Sequence, residues 1–346
     1  MTGYMVQNAS DITFTGALNT GEQTIPVNRS TNGQGWNLVG NPYTSAIDWD
    51  LIASANKDNI QNAFWIWLNT NQYGTYNGDA GLGTNLDADA SQIPSNHSFW
   101  VNAKGAGSLT VDNSSQIQNS QSYLKSAQKA CPMVKLTGIS GAIKDETIIA
   151  AIPEATSAVE RFDSEKLFGN NANALELYTQ SNNTPLTINS LPTFGNETVV
   201  ELGYKSQSAG NYQITLSQSV AEASNQSVVL EDKLLGVSKT LKVGDSYAFY
   251  SDAANSTERF ALHILNNATP NNNGSVDIYT QQHIIYLLLN NITSAHYEIT
   301  DMTGRLITTG LATSNAISNI PVKNTGIYLV SIVADGQTIV RKVIVK

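Results

Sequence analysis

Apolar and polar residues alternate at a period of two along most of the 346-residue chain, and runs with helical spacing are few and short. This pattern predicts strands. In the first third, Trp36 to Gly40 reads as a strand that stops at Asn41-Pro42, because proline cannot donate to a ladder. A short helical turn is expected from Asp48, whose side chain can cap it, through Trp49, Asp50, Leu51 and Ile52. Ala63 to Leu68 is an aromatic strand, followed by strands at Ser98 to Asn102 and Ser108 to Val111.

The middle of the chain carries eight such runs: Met133 to Ile139, Glu146 to Ile152, Ala174 to Thr179, Thr198 to Tyr204, Gly210 to Ser217, Ser227 to Asp232, Ser246 to Tyr250 and Arg259 to Leu265. Gly, Asn, Asp and Pro stand between them, the punctuation that facing antiparallel sheets need. The last third ends in Gly326 to Val333, then Asp335-Gly336, then Thr338 to Val345. Asp-Gly tolerates the positive φ angles of a tight primed turn, so a hairpin is predicted. Polar, pattern-free segments at Ser114 to Lys129 and Asn266 to Ser275 mark boundaries. The expected fold class is all-β: tandem β-sandwich domains, jelly-roll or immunoglobulin-like, over residues 1–128 and 129–266, then a small immunoglobulin-like sandwich over 274–346.

Composition sharpens this picture. Hydrophobic residues are 41% and charged residues only 14%, against abundant Asn, Thr, Ser and Gly. A formal net charge of −9 opposes phosphate backbones, so no nucleic-acid partner is expected. The longest apolar run, Ile284 to Leu289, falls far short of the roughly 20 residues of a membrane span. One cysteine, Cys131, excludes an intramolecular disulfide. Met1 to Met5 lacks the basic and apolar regions of a signal peptide, so a secreted reading expects processing or a longer precursor.

The residues from Tyr297 to Ile307, the spacer Ser318-Asn319-Ile320, the run Gly326 to Val333 and the closing strand with Arg341, Lys342 and Lys346 together resemble the type IX secretion sorting domain of Bacteroidetes surface proteins. Its ordered elements fall on Asp301, Gly304 and Arg305, on Gly326 and Tyr328, and on Lys342. Where that family usually opens with a Tyr-Pro-Asn-Pro type motif, this chain has Tyr279-Thr280-Gln281-Gln282. The upstream segments, including Gly35 to Tyr43 and Gln92 to Ala103, are similar to modules that precede such domains in adhesin-like proteins. The resemblance implies a secreted or outer-surface location, contact with the secretion machinery, and a sorting or anchoring role for the tail.

Candidate chemistry is sparse. Trp65, Trp67, Tyr73, Tyr76 and Trp100 could form a sugar-binding platform, although alternation puts Trp65 and Trp67 on one face and Phe64 and Ile66 on the other, so at least one set must be core. Asp79, Asp87 and Asp89 sit in a Gly- and Asp-rich loop that could wrap calcium; a solvated loop is the competing reading. No other cofactor is expected. The histidines His97, His263, His283 and His296 are scattered, and a structural role is the default for each. Motifs for a nucleophile elbow, a phosphate loop or a zinc helix are missing. Paired glycosidase carboxylates leave no motif, so Glu154, Glu160, Asp163 and Glu165 stay formally open. Arg341, Lys342 and Lys346 are either a recognition edge or gatekeepers against aggregation. The expected function is a non-enzymatic, adhesin-like module that binds a surface glycan or protein. The alternative is the accessory tail or carbohydrate-binding module of a larger secreted glycoside hydrolase or protease.

Overall fold

A computed structural model describes residues 3–4, 15–86, 90–117, 131–219, 226–266, 275–281, 283–290, 292–313, 318–334 and 337–345. Among the described residues nearly all regular structure is β, as the alternation predicts, and the exceptions are three short 3₁₀ turns. One begins at Asp48, whose side chain accepts a hydrogen bond from the Asp50 N–H. The chain divides into two compact units, residues 1–267 and 268–346.

In the first unit, the long strand Ser98–Val111 organises the N-terminal part. Its first half pairs with Trp36–Gly40 and Ala63–Trp67, and its second half with Gln23–Val27 and Lys57–Ile60. Tyr73–Asn77 and Leu82–Thr84 extend the sheet beyond Ala63–Trp67. A small sheet of Ala46–Asp48, Gln92–Ile93 and Gln116–Ile117 accompanies it. Phe64, Ile66, Tyr76, Phe99, Val101 and Trp49 share one core, with Phe64 and Phe99 rings in edge contact at 6.0 Å.

The remainder of this unit is one continuous eleven-stranded sheet. Its neighbours are antiparallel except for Ile143–Ala151 against Thr184–Leu191, which run parallel. The sheet curls into a near-closed barrel, so strands far apart in its order, among them Met133–Ser140, Val237–Leu241 and Ala254–Asn266, contribute Leu136, Leu241 and Phe260 to a single core. Asp232 is fully buried and paired with Arg259 at 2.9 Å, while Tyr247 donates to the same carboxylate at 3.0 Å. The Arg259 guanidinium lies over the Phe249 and Phe260 rings, which replaces its lost hydration on the faces that hydrogen bonds cannot reach.

The second unit is a small sandwich. Ser275–Gln281, Ile284–Asn290 and Ser318–Pro321 form one sheet; Leu306–Thr313, Ser294–Asp301, Gly326–Ala334 and Gln337–Val345 form the other. Their inner faces share a core that includes Ile285, Leu287, Ile299, Val330 and Ile332. The final hairpin pairs Ala334 with Gln337, the register an Asp-Gly turn demands, while Asp335-Gly336 itself lies outside the described residues.

Candidate functional site

The aromatic strand Ala63–Trp67 divides by parity. Phe64 and Ile66 enter the first core, and Trp65 and Trp67 project from the opposite face, where their cross-strand partners are Trp100 and Tyr73. That face is covered by the second sheet of the same unit. Trp65 is wholly buried, meets Trp36 edge-on at 4.7 Å and donates from Nε1 to the Glu165 carbonyl at 2.9 Å. Tyr76 is also buried, on the core side, and its hydroxyl donates to Asp50 at 2.6 Å. Trp67, Tyr73 and Trp100 are half-buried, and Trp67 and Tyr73 pack edge to face at 4.8 Å. The five rings named for a ligand platform are thus split between the core, the junction and a small half-buried cluster.

The junction is rich in hydrogen bonds. Asn77 Nδ2 donates to the carbonyls of Arg161 and Asp163 at 3.0 and 2.9 Å, and Gln61 donates to the Asp163 carbonyl at 2.6 Å. Thr84 and Thr187 join hydroxyls at 3.0 Å, and Asn85 and Glu146 exchange two bonds of 2.8 Å. Asp145, buried beside this seam, pairs with the equally buried Lys166 at 2.6 Å and also accepts from Gln72, Asn85 and the Leu177 N–H. A buried charge is tolerable when its lone pairs are all met in this way. Below it, Ala80 and Leu82 join Met133, Ile148, Ile152, Phe162 and Ile188 in one apolar cluster.

At one side of the seam the cover stops short and leaves a cleft of about 340 Å³. Arg29, Lys104 and Arg161 converge on it with Gln61 and Asn102. Among the described residues, none of these three cations has an acidic partner in an ion pair: Arg29 donates to the Gln34 carbonyl, and Arg161 lies over the Phe162 ring. Glu160, Asp163 and Glu165 also border the cleft, so the fold brings together three of the four carboxylates that sequence reasoning left open, while Glu154 is exposed elsewhere. Burial raises Asp163 to about 6, although N–H groups of Ser190 and Glu160 bind its two oxygens at 2.7 and 2.8 Å and favour the charged form. Nothing in the sequence could have announced this cleft, since its cations come from separate segments with no common spacing.

Asp79 accepts a hydrogen bond from Asn62 at 3.1 Å, whereas Asp87 and Asp89 lie outside the described residues. No grouping of three or more His, Cys, Asp or Glu side chains suited to a metal occurs among the described residues. His263 bridges Glu197 and Glu231 at 3.1 and 3.0 Å, a structural contact between three strands.

In the second unit the motif residues each have a physical task. Asp301 accepts from the N–H and hydroxyl of Thr303 and from the N–H of Arg305, bonds that hold its carboxyl down at about 2, and Arg305 Nε returns to it at 3.0 Å. Gly304 takes φ +83°, which closes this turn. Gly326 starts the central strand, Tyr328 anchors it by donating to the Asn324 carbonyl at 2.8 Å, and Lys342 is exposed on the edge strand.

Residues 271–346 match the secretion system C-terminal sorting domain, the type IX signal found in Bacteroidetes, which makes this a protein secreted to the cell surface. No curated protein matches the chain. A solved polysaccharide lyase is similar at 9% identity over 62% of this chain, with a TM-score of 0.18, too low to bear on fold or chemistry. The aligned part spans 40% of that lyase. Residues 2–264, nearly the whole of the unit that holds the cleft and the junction, match the domain of unknown function DUF8693, and the chain belongs to that family.

Proposed function

We propose that this chain is a non-enzymatic, adhesin-like surface module whose first unit binds an acidic glycan in the junction cleft, while the second unit directs export. The observation that carries this reading is that Arg29, Lys104 and Arg161 line one cleft without ion-pair partners among the described residues, although Glu160, Asp163 and Glu165 line it too. Guanidinium groups match carboxylates and sulfates in a planar, two-pronged geometry, and Gln61 and Asn102 add neutral donors and acceptors suited to sugar hydroxyls. The volume is of the order expected for small-ligand sites, about 300 Å³ and upward. Asp163 supports the non-catalytic reading, because both its oxygens are engaged by backbone N–H groups that fix its loop.

A glycan array probed with the purified full chain and with an Arg161→Ala, Lys104→Ala double variant tests this. Retention of uronate- or sulfate-bearing glycans by the parent, with at least a tenfold loss in the variant and weakening in salt, is the expected result. Binding confined to neutral glycans, or equal binding by both proteins, overturns it.

A further inference from the structure

The first unit also contains a buried amine placed against a side-chain amide. Lys57 is 8% exposed, and its Nζ donates to Asn62 Oδ1 at 2.8 Å and to the Trp49 carbonyl at 2.9 Å, over the face of the Trp49 ring. No carboxylate lies within salt-bridge distance of it among the described residues. The orientation of the amide is fixed by its neighbours. Oδ1 accepts from Lys57 and from Trp49 Nε1 at 2.9 Å, and Nδ2 donates to Asp79 Oδ1 at 3.1 Å, so exchanging oxygen and nitrogen would set donors against donors.

We infer that Lys57 and Asn62 are the precursors of an intramolecular isopeptide bond, formed by the folded protein with Asp79 as its proton carrier. The Lys57 amine, in its neutral form, attacks Asn62 Cγ, the atom next to the oxygen it now contacts. The Trp49 indole N–H faces Oδ1, where negative charge develops as the carbonyl becomes tetrahedral, and acts as a one-donor oxyanion site. Once bonded to Cγ, the attacking nitrogen stands beside the amide nitrogen that Asp79 already touches, and Asp79 then takes a proton from the first and delivers it to the second. The Cγ–Nδ2 bond then breaks and ammonia leaves. One C–N bond forms, one breaks, and no oxidant or reductant is needed.

The surroundings favour this chemistry. Burial pushes the Lys57 amine down to about 8, against the opposing influence of Asp50, Asp79 and Asp48, so the nucleophilic form is accessible near neutral pH. Burial likewise raises Asp50, whose carboxyl also accepts from Tyr76. Holding amine and amide at contact distance replaces a bimolecular encounter by a fixed geometry.

Intact-mass measurement of the purified full chain is the test, followed by proteolysis and sequencing of the peptides that contain Lys57 and Asn62. The expected product is a chain lighter than its sequence by one ammonia, with a branched peptide that joins the two residues. Asp79→Ala should leave the mass at the sequence value and both residues unmodified. Because the parent protein is itself measured, misfolding of a variant cannot obscure the answer. A parent with full mass and a free Lys57 after incubation above pH 8 overturns the proposal. So does an ammonia-short parent without the branch, since succinimide formation at Asn32-Gly33, Asn77-Gly78 or Asn273-Gly274 loses the same mass.

Discussion

Asp163 shows how a single side chain can be both anchored and penalised. Its oxygens tie the Glu160 loop to the strand Thr184–Leu191 through the Glu160 and Ser190 N–H groups, yet burial lifts its carboxyl to about 6. An unfolded aspartate ionises near pH 4, so between these values the native state binds the proton that the unfolded state has released. A raised carboxyl therefore stabilises fully below about pH 4, and that contribution is lost as pH rises through 6. The expected loss is on the order of 2 kcal/mol. Urea unfolding at a series of pH values should show it in the parent, and Asp163→Asn, which cannot titrate, should lack that component. Identical pH profiles for the two proteins would show that Asp163 is ionised throughout this range.

Among the elements, the aromatic strand Ala63–Trp67 shows what was legible and what was not. Period two places Trp65 opposite Phe64 from the sequence alone, and it correctly requires at least one set to be core. It cannot say what covers the other set, because the cover comes from Arg161 to Glu165, a segment with no strand pattern of its own. The Asp48 cap and the terminal hairpin were legible because their signals are local. The parallel pairing of Ile143–Ala151 with Thr184–Leu191 and the Glu197–His263–Glu231 bridge were not, since each depends on strand order. Close approach adds a further demand at the junction. A Cβ on Gly169 would stand 2.3 Å from the Asn71 carbonyl oxygen, so only glycine fits between these segments. Gly169→Ala should cost about 1–3 kcal/mol, the usual range for forced overpacking, read as a lower midpoint in urea. An unchanged midpoint would mean that the loop at Asn71 yields freely.

At the scale of the whole first unit, the junction predicts that its two sheets unfold together. All five tryptophans, Trp36, Trp49, Trp65, Trp67 and Trp100, belong to the N-terminal sheet and its neighbouring turn, so their fluorescence reports that part directly. Phe260 is fully buried in the core of the curled sheet and packs on Tyr204, Phe249 and Tyr247. Phe260→Ala removes this contact without touching a tryptophan and should cost about 3–5 kcal/mol. If Trp65, the Asn77 bonds and the Ala80 to Ile188 cluster weld the sheets into one cooperative body, the loss reaches the tryptophans as a drop in their thermal midpoint of roughly 10 °C. If the sheets are independent, far-ultraviolet circular dichroism shifts and the fluorescence midpoint stays where it was. If the sheets form one cooperative body, the cleft between them keeps Arg29 and Lys104 in register with Arg161, which lies across the seam, as the proposed anionic ligand requires.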